Sequence, residues 1–163
     1  MNRQSYFQEC EVLRQNCEYT AEAHHFVITH QKRLLFAFQV FPAIVAALSS
    51  MLVVGQVIPA WWGWLTVVSA IVTAVANILN PLARYFEHLN AARAFTILKH
   101  EARALKDTFG QDMSDERLAE AVKNIHAKYS ELLRFVPPTE EWAFEKAREK
   151  VKSGIHKPDS DGE

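Results

Sequence analysis

The longest apolar run in the chain extends from Leu34 to Ala83, fifty consecutive residues without one Asp, Glu, Lys, Arg or His. As a single helix it would measure about 75 Å, more than twice the roughly 30 Å thickness of bilayer hydrocarbon. The run must therefore fold back on itself, and the segment Gly55 to Ala60, with one glycine and one proline, provides a turn near its middle. The pattern predicts two transmembrane helices, Leu34 to Val54 and Trp61 to Leu82.

Basic residues flank this apolar run, and the loop within it has none. Lys32, Arg33 and Arg84 lie immediately outside the two spans. The positive-inside rule then places both termini in the cytoplasm, and the polar first 33 residues make the first span a signal anchor and not a cleaved peptide. The alternative is the buried helical hairpin of a soluble domain, but uncharged runs of this length rarely fit so small a core.

Amphipathic helices are predicted on both sides of the hairpin, and the sequence has no strand pattern. Before the first span, small or apolar residues recur every three or four positions, at Tyr6, Cys10, Leu13, Cys17, Ala21, His24 and Ile28. After the second span the same spacing occurs at Ala91, Ala94, Leu98, Ala102, Leu105 and Phe109, and at Leu118, Val122, Ile125, Tyr129, Leu132 and Val136. A last helix begins near Thr139, beyond Pro137 and Pro138.

The predicted fold class is an all-α membrane protein, a two-transmembrane-helix hairpin with cytoplasmic amphipathic helices on both sides. Its segments are a cytoplasmic N-terminal helix (1–33), the hairpin (34–83), a cytoplasmic helical domain (84–152) and a disordered tail (153–163). Pro42 should kink the first span near Phe38, and Pro81 should interrupt the helix where the second span ends and act as a hinge.

Polar residues of the second span form a single helical stripe. Its members follow one another at three or four positions: Thr66, Ser69, Thr73, Asn77, Asn80 and Arg84. Polar residues within a span tend to face water or a protein interior, so the stripe predicts the lining of a conduit with a ring of cations at its inner mouth. The alternative is a stripe that only hydrogen-bonds to the first span.

Composition and motifs add few candidates for chemistry. The net charge of −1 conceals a basic excess confined to residues 84–109, which have five bases and three acids. No glycine-rich phosphate loop, metalloprotease or nucleophile-elbow motif occurs, so no enzyme activity and no cofactor are expected. Cys10 and Cys17 are expected to be reduced and buried, and His24, His25 and His30 lack the partners of a metal site.

Two further stretches, Tyr85-Phe86-Glu87-His88 and Ala91-Ala92-Arg93-Ala94, follow the hairpin. With the N-terminal helix, the uncharged loop and the long helices, they resemble the SLATT family of bacterial effectors over residues 5–135. The resemblance implies an effector of the bacterial inner membrane that permeabilises the cell. Because two spans cannot enclose a conduit, we expect a homo-oligomeric gated channel of four or more subunits. The resemblance also implies antiphage defence, in which a companion nucleotidyltransferase makes a nucleotide or short-oligonucleotide signal.

The predicted site for that signal is the basic segment that follows the second span. Its cations are Arg93, Lys99, His100, Arg103 and Lys106, and Tyr85 and Phe95 could stack on bases. The same cations could instead serve lipid headgroups. Two other functions fit the architecture: a non-conducting membrane anchor or scaffold that recruits a soluble partner, and a holin-like lesion former.

Overall fold

The structure, a computed structural model, describes residues 2–55 and 59–153, and all regular secondary structure in these ranges is helical. The α-helices are α1 (Arg3–Leu35), α2 (Phe41–Val54), α3 (Trp64–Leu79), α4 (Pro81–Asp107), α5 (Asp115–Phe135) and α6 (Glu141–Lys152). The predicted all-α class is confirmed. The predicted turn includes residues 56–58 and the predicted tail includes residues 154–163, and both segments lie outside the described residues.

The chain divides into two compact units. The hairpin unit contains residues 28–86, and the bundle unit contains the described residues of 1–27 and 87–163. Both α1 and α4 contribute to each unit. The sequence interpretation treated the N-terminal helix and the helical domain as separate segments, whereas the structure joins most of both in the bundle unit.

The core of the bundle unit forms where the predicted seams of α1, α4 and α5 meet. Its buried members are Cys10, Leu13, Cys17, Ala21, Phe95, Leu98, Ala102, Leu105, Leu118, Val122 and Ile125. A second cluster joins α6 to α1 through Ala23, Val27, Ala143 and Ala147. The spacing of three and four residues therefore identified the buried faces of α1 and α5, because those residues lie on one side of a helix. Phe109, predicted as the last member of the α4 seam, is an exception, since it lies beyond the end of α4 and is 63% exposed.

The connection between α4 and α5 is held by Gly110 and Arg3. A Cβ atom at Gly110 would lie 2.3 Å from the carbonyl oxygen of Leu105 and 2.9 Å from the ring of Phe7, so only glycine fits there. The Arg3 guanidinium donates hydrogen bonds to the Gly110, Gln111 and Met113 carbonyls and pairs with Asp115 at 2.7 Å. The N-terminus of α1 thus fixes the α4–α5 connection.

In the hairpin unit, α2 and α3 pack against each other. The helix before Pro42 takes a π-helical turn over Phe36–Val40, and the Phe41 N–H donates to the Phe36 carbonyl. The π turn lies in the turn of helix that precedes Pro42, where the kink near Phe38 is predicted, and π turns are among the sites at which helices bend.

The predicted interruption at Pro81 is also confirmed. Asn80 adopts the left-handed conformation, with φ 44° and ψ 54°, and separates α3 from α4. Its side-chain oxygen accepts a hydrogen bond from the Ala83 N–H at 3.3 Å, so Asn80 caps α4. Proline at the first position of a helix loses no helical hydrogen bond, which explains why Pro81 begins α4.

Candidate functional site

Two helical stretches, Arg3–Leu52 and Trp61–Asp107, are long and apolar enough to cross a membrane. Within their most apolar windows, 11% and 18% of the residues are buried. A soluble core hairpin would bury most of such a window. The large apolar side chains exposed on the hairpin unit include Phe36, Phe41, Ile44, Leu48, Met51, Val67, Val68, Ile71, Val75 and Ile78.

Polar side chains cross the packing interface of the hairpin at two levels. The Gln39 side-chain amide donates to the Asn77 carboxamide oxygen at 3.3 Å, and the hydroxyls of Ser50 and Thr66 lie 3.5 Å apart. Asn77 and Ser50 are exposed, so both pairs lie at an open edge of the interface and not in its centre.

Small side chains surround these two polar pairs. Ala43 and Ala47 precede Ser50 by seven and three residues, and Ala70 and Ala74 follow Thr66 by four and eight, so helical spacing places them on the same edges. All four alanines are exposed. We call this surface the small-polar face, defined by Gln39, Ala43, Ala47, Ser50, Thr66, Ala70, Ala74 and Asn77.

The predicted polar stripe of the second span divides between different surroundings. Ser69 is buried, and the Thr73 hydroxyl donates to the Ser69 carbonyl at 2.9 Å. Thr66 and Asn77 lie on the small-polar face. Asn80 caps α4, as described above. Gln39, on the first span, completes the polar pair with Asn77, and its place as the one carboxamide among the apolar residues of that span was the available sequence signal.

Arg84 departs from the predicted stripe. It lines a cavity with Ile71 and Val75 and so does not continue the line of Asn77. Adjacent helical residues differ by about 100° in direction, so Ile71 and Val75 lie on another face of α3 than Ala70 and Ala74. The predicted stripe assumes one continuous helix from Thr66 to Arg84. The left-handed Asn80 breaks that helix, so the side chain of Arg84 points in a different direction from the one that its spacing indicates.

The cations of the predicted signal site do not form one open patch. Lys106 pairs with Glu11 at 2.8 Å, and Lys99 lies 3.9 Å from Glu18, so both are directed towards acids of α1. Arg103 pairs with Asp107 on its own helix at 3.5 Å. Arg93 and His100 are exposed on α4.

The ion pair of Lys106 belongs to a small network on α1. Hydrogen bonds from Arg14, assisted by those from Lys106 and Gln15, lower the pKa of Glu11 to about 2 against the effect of partial burial. Glu11 is therefore ionised throughout the physiological range and remains a counter-ion for Lys106. An anionic ligand that binds Lys106 would have to compete with the Glu11 carboxylate.

Neither of the two aromatic rings predicted to stack on bases is fully exposed. Phe95 is fully buried, stacked on His24 and in edge contact with Tyr129, so its predicted stacking role is wrong. Tyr85 is half-buried and in edge contact with Phe86. The spacing on α4 identified a helical face, but not which helix would cover Phe95.

A cavity of about 730 Å³ in the bundle unit was not predicted from the sequence. We call it the bundle groove; its walls are Asn16, Tyr19, Thr20, His24, Tyr129, Leu133, Val136, Pro137, Pro138, Thr139, Phe144, Arg148 and Lys152. Arg148 and Lys152 give it two exposed cations, and Tyr19 and Phe144 give it aromatic surface. The spacing of four between Phe144, Arg148 and Lys152 was the sequence signal for this face of α6.

One of the residues that line the bundle groove, His24, is paired with a second histidine, His88. His24 is 1% exposed, and its Nδ1 lies 2.8 Å from the Nδ1 of His88. Burial, reinforced by the neighbouring His88 and His25, lowers the pKa of His24 to about 4. His24 is therefore neutral at pH 7, and the short contact requires that one of the two Nδ1 atoms donates and the other accepts.

Burial raises the pKa of Cys17 to about 12 and also raises that of Cys10, so both thiols are poor nucleophiles at neutral pH. Both cysteines are free and buried, as predicted. Among the residues that the structure describes, no group of three or more His, Cys, Asp or Glu side chains could hold a metal ion.

Comparison of the chain with protein-family models, with curated proteins and with solved structures found no match.

Proposed function

We propose that this chain is a membrane protein whose hairpin units associate through the small-polar face into a gated homo-oligomeric channel. The observation that carries the proposal is the Gln39–Asn77 pair, which lies exposed at the edge of an otherwise apolar hairpin.

Insertion in a membrane accounts for the exposed apolar side chains. In water each large side chain would lose about 1.5–3 kcal/mol relative to burial, and many are exposed on this unit. Trp61, Trp62 and Trp64 are exposed at the loop end, where an aromatic belt would meet a membrane interface. Residues 28–86 contain no Asp or Glu, and their basic side chains Lys32, Arg33 and Arg84 flank the spans, which supports a topology with both termini in the cytoplasm.

Association accounts for the small-polar face. A carboxamide that faces hydrocarbon has unsatisfied donors and acceptors, so Asn77 favours a neighbouring protein surface or water. Exposed alanines such as Ala43, Ala47, Ala70 and Ala74 let helix backbones approach closely, which is how membrane helices pack. A second copy of the same hairpin supplies a complementary surface.

A conduit requires several copies, because two helices cannot enclose one. A cyclic assembly of four or more subunits is the simplest closed arrangement, with Asn77 and Thr66 repeated around its axis. Asn80 and Pro81 then lie where each conduit helix enters the cytoplasm, and a change of backbone there would alter the splay of α4 relative to α3. This is the predicted hinge.

The resemblance to the SLATT family supplies the proposed setting: the bacterial inner membrane, antiphage defence, and a nucleotide or short-oligonucleotide signal from a companion nucleotidyltransferase. The bundle groove supports an anionic aromatic ligand better than the α4 cations do. Arg148 and Lys152 form no ion pair among the described residues, whereas Lys106 and Lys99 already face Glu11 and Glu18. A signal that binds one splay of the helices better than the other would shift the channel equilibrium.

Cysteine cross-linking in membranes tests the association step. Ala70 and Val68 are both exposed at nearly the same depth but point in opposite directions, about 200° apart on α3. Ala70→Cys should form disulfide-linked dimers under oxidation, and Val68→Cys should form few or none. The buried native cysteines react slowly and can remain. Equal cross-linking at both positions, or none at Ala70→Cys, would contradict the proposed face.

The topology can be tested with introduced cysteines that are labelled from outside the cell. Gly55→Cys, at the loop end of α2, should react with an impermeant maleimide in intact spheroplasts, and Gln111→Cys in the exposed α4–α5 connection should react only after lysis. The opposite pattern would place the termini outside. Labelling of neither position in intact spheroplasts, and of both after lysis, would show that the hairpin does not insert.

A further inference from the structure

The hairpin unit contains a second cavity, on a different side of α3 from the small-polar face. It has a volume of about 460 Å³ and mostly apolar walls. We call it the inner pocket; its lining includes Gln31, Phe38, Ile71, Val75, Pro81 and Arg84. Arg84 and Gln31 provide its polar groups, and the rest of the wall is apolar.

The inner pocket has a basic group without an acidic partner. Residues 28–86 contain no Asp or Glu, and Arg84 belongs to no ion pair among the described residues. A guanidinium prefers a phosphate or carboxylate, which it can bind through two parallel hydrogen bonds. The charge therefore favours an anionic occupant from outside this unit.

The shape of the inner pocket specifies what must accompany that anion. Ile71 lies about eight residues before the end of α3, which corresponds to roughly 12 Å along the helix. This distance is close to the thickness of one hydrocarbon leaflet, about 15 Å. An anion with a long apolar chain would fill the slot, whereas a free phosphate or a nucleotide would leave the apolar walls in contact with water.

We propose that the inner pocket binds an anionic phospholipid of the cytoplasmic leaflet, with its phosphate on Arg84 and one acyl chain along Phe38, Ile71 and Val75. Basic pockets beside membrane helices on the cytoplasmic side are typical sites for anionic headgroups. The inference rests on the proposed membrane insertion of the hairpin. Because Arg84 follows Pro81 by three residues, the bound lipid would also restrain the start of α4 at the predicted hinge.

Native mass spectrometry of the full-length protein from mild detergent tests the inference, with phosphatidylglycerol and phosphatidylcholine of identical acyl chains as probes. The wild-type protein should retain phosphatidylglycerol preferentially. Arg84→Gln should weaken this binding by about tenfold. Lys32→Gln removes an equal charge from the same end of the unit but does not line the pocket, so it should leave the preference unchanged. Arg84→Lys should give an intermediate affinity, because it retains the charge without the bidentate geometry.

A variant that fills the inner pocket separates the contribution of its apolar walls to lipid binding from that of the Arg84 charge. Val75→Trp should reduce retention of both lipids, with helix content unchanged in circular dichroism. Equal losses for Arg84→Gln and Lys32→Gln would show diffuse attraction and overturn the inference, as would equal retention of the two lipids by the wild-type protein. Cross-linking of Ala70→Cys in the same preparations distinguishes this failure from failure of the proposed channel assembly, since it does not depend on Arg84.

Discussion

The Nδ1 atoms of His24 and His88 lie 2.8 Å apart inside the bundle unit, with His24 stacked on the buried ring of Phe95. Protonation of His24 would place a charge in a buried position. It would also make the His24 Nδ1 a donor only, so that it could no longer accept a hydrogen bond from His88. The pair therefore makes the stability of this unit dependent on pH.

Stability should fall as the pH decreases from about 6.5 to about 4. The pKa of His24 is lowered from 6.5 to about 4, so between these values the unfolded chain binds more protons than the folded chain. The full effect is roughly 3 kcal/mol at most. Thermal unfolding at pH 7 and pH 4.5 measures it. His24→Gln, which cannot titrate, should show a distinctly shallower dependence, and an unchanged slope in that variant would assign the effect to other groups.

Gly110→Ala should destabilise the bundle unit by about 1–3 kcal/mol, because the new methyl group would overlap the Leu105 carbonyl and the Phe7 ring. Gly63→Ala is the matched control, since a Cβ there has nothing within 4 Å. Circular dichroism of both variants during heating in mild detergent compares them. Equal melting temperatures for the two variants would mean that the α4–α5 connection can shift to accept a side chain.

Helical periodicity predicted much of this fold because the buried faces repeat at three and four residues. Leu118, Val122 and Ile125 are buried as their spacing indicates, and the break at Asn80 follows from the proline after it. Pairing across helices could not be predicted in the same way. Nothing in the sequence of α4 shows that Glu11 lies opposite Lys106, since ninety-five residues separate them.

The candidate sites show the same limit. A stripe drawn by spacing assumes a continuous helix, so it included Arg84 on the wrong side of a left-handed residue. The bundle groove combines α1, α5 and α6 around residues such as Tyr19 and Arg148, and only their tertiary packing brings these together. Gln39 lacked an assigned role until its contact with Asn77 was known.

The response of the channel to the nucleotide signal should depend on Arg148 more than on the α4 cations. Arg148→Gln should raise the nucleotide concentration for half-maximal response about tenfold, because one charge-assisted contact is lost. Lys146→Gln is the control on the same helix, since Lys146 lies over Trp142 and outside the groove. Flux assays with a panel of short nucleotides provide the measurement. If Arg103→Ala with Lys106→Ala abolishes the response and Arg148→Gln does not, the signal binds at α4.

The most direct test of the proposed conduit is ion flux through the purified protein in liposomes, with and without the panel of short nucleotides. The decisive comparison is between the variants Asn77→Leu and Val68→Leu. Both variants add apolar surface to α3, but only Asn77 lies on the small-polar face, and Val68 is exposed on the opposite side. The account predicts nucleotide-dependent flux in the wild type and in Val68→Leu, and at least tenfold lower flux or altered ion preference in Asn77→Leu. Unchanged flux and ion preference in Asn77→Leu would contradict it, and so would cross-linked assemblies that conduct no ions under any condition.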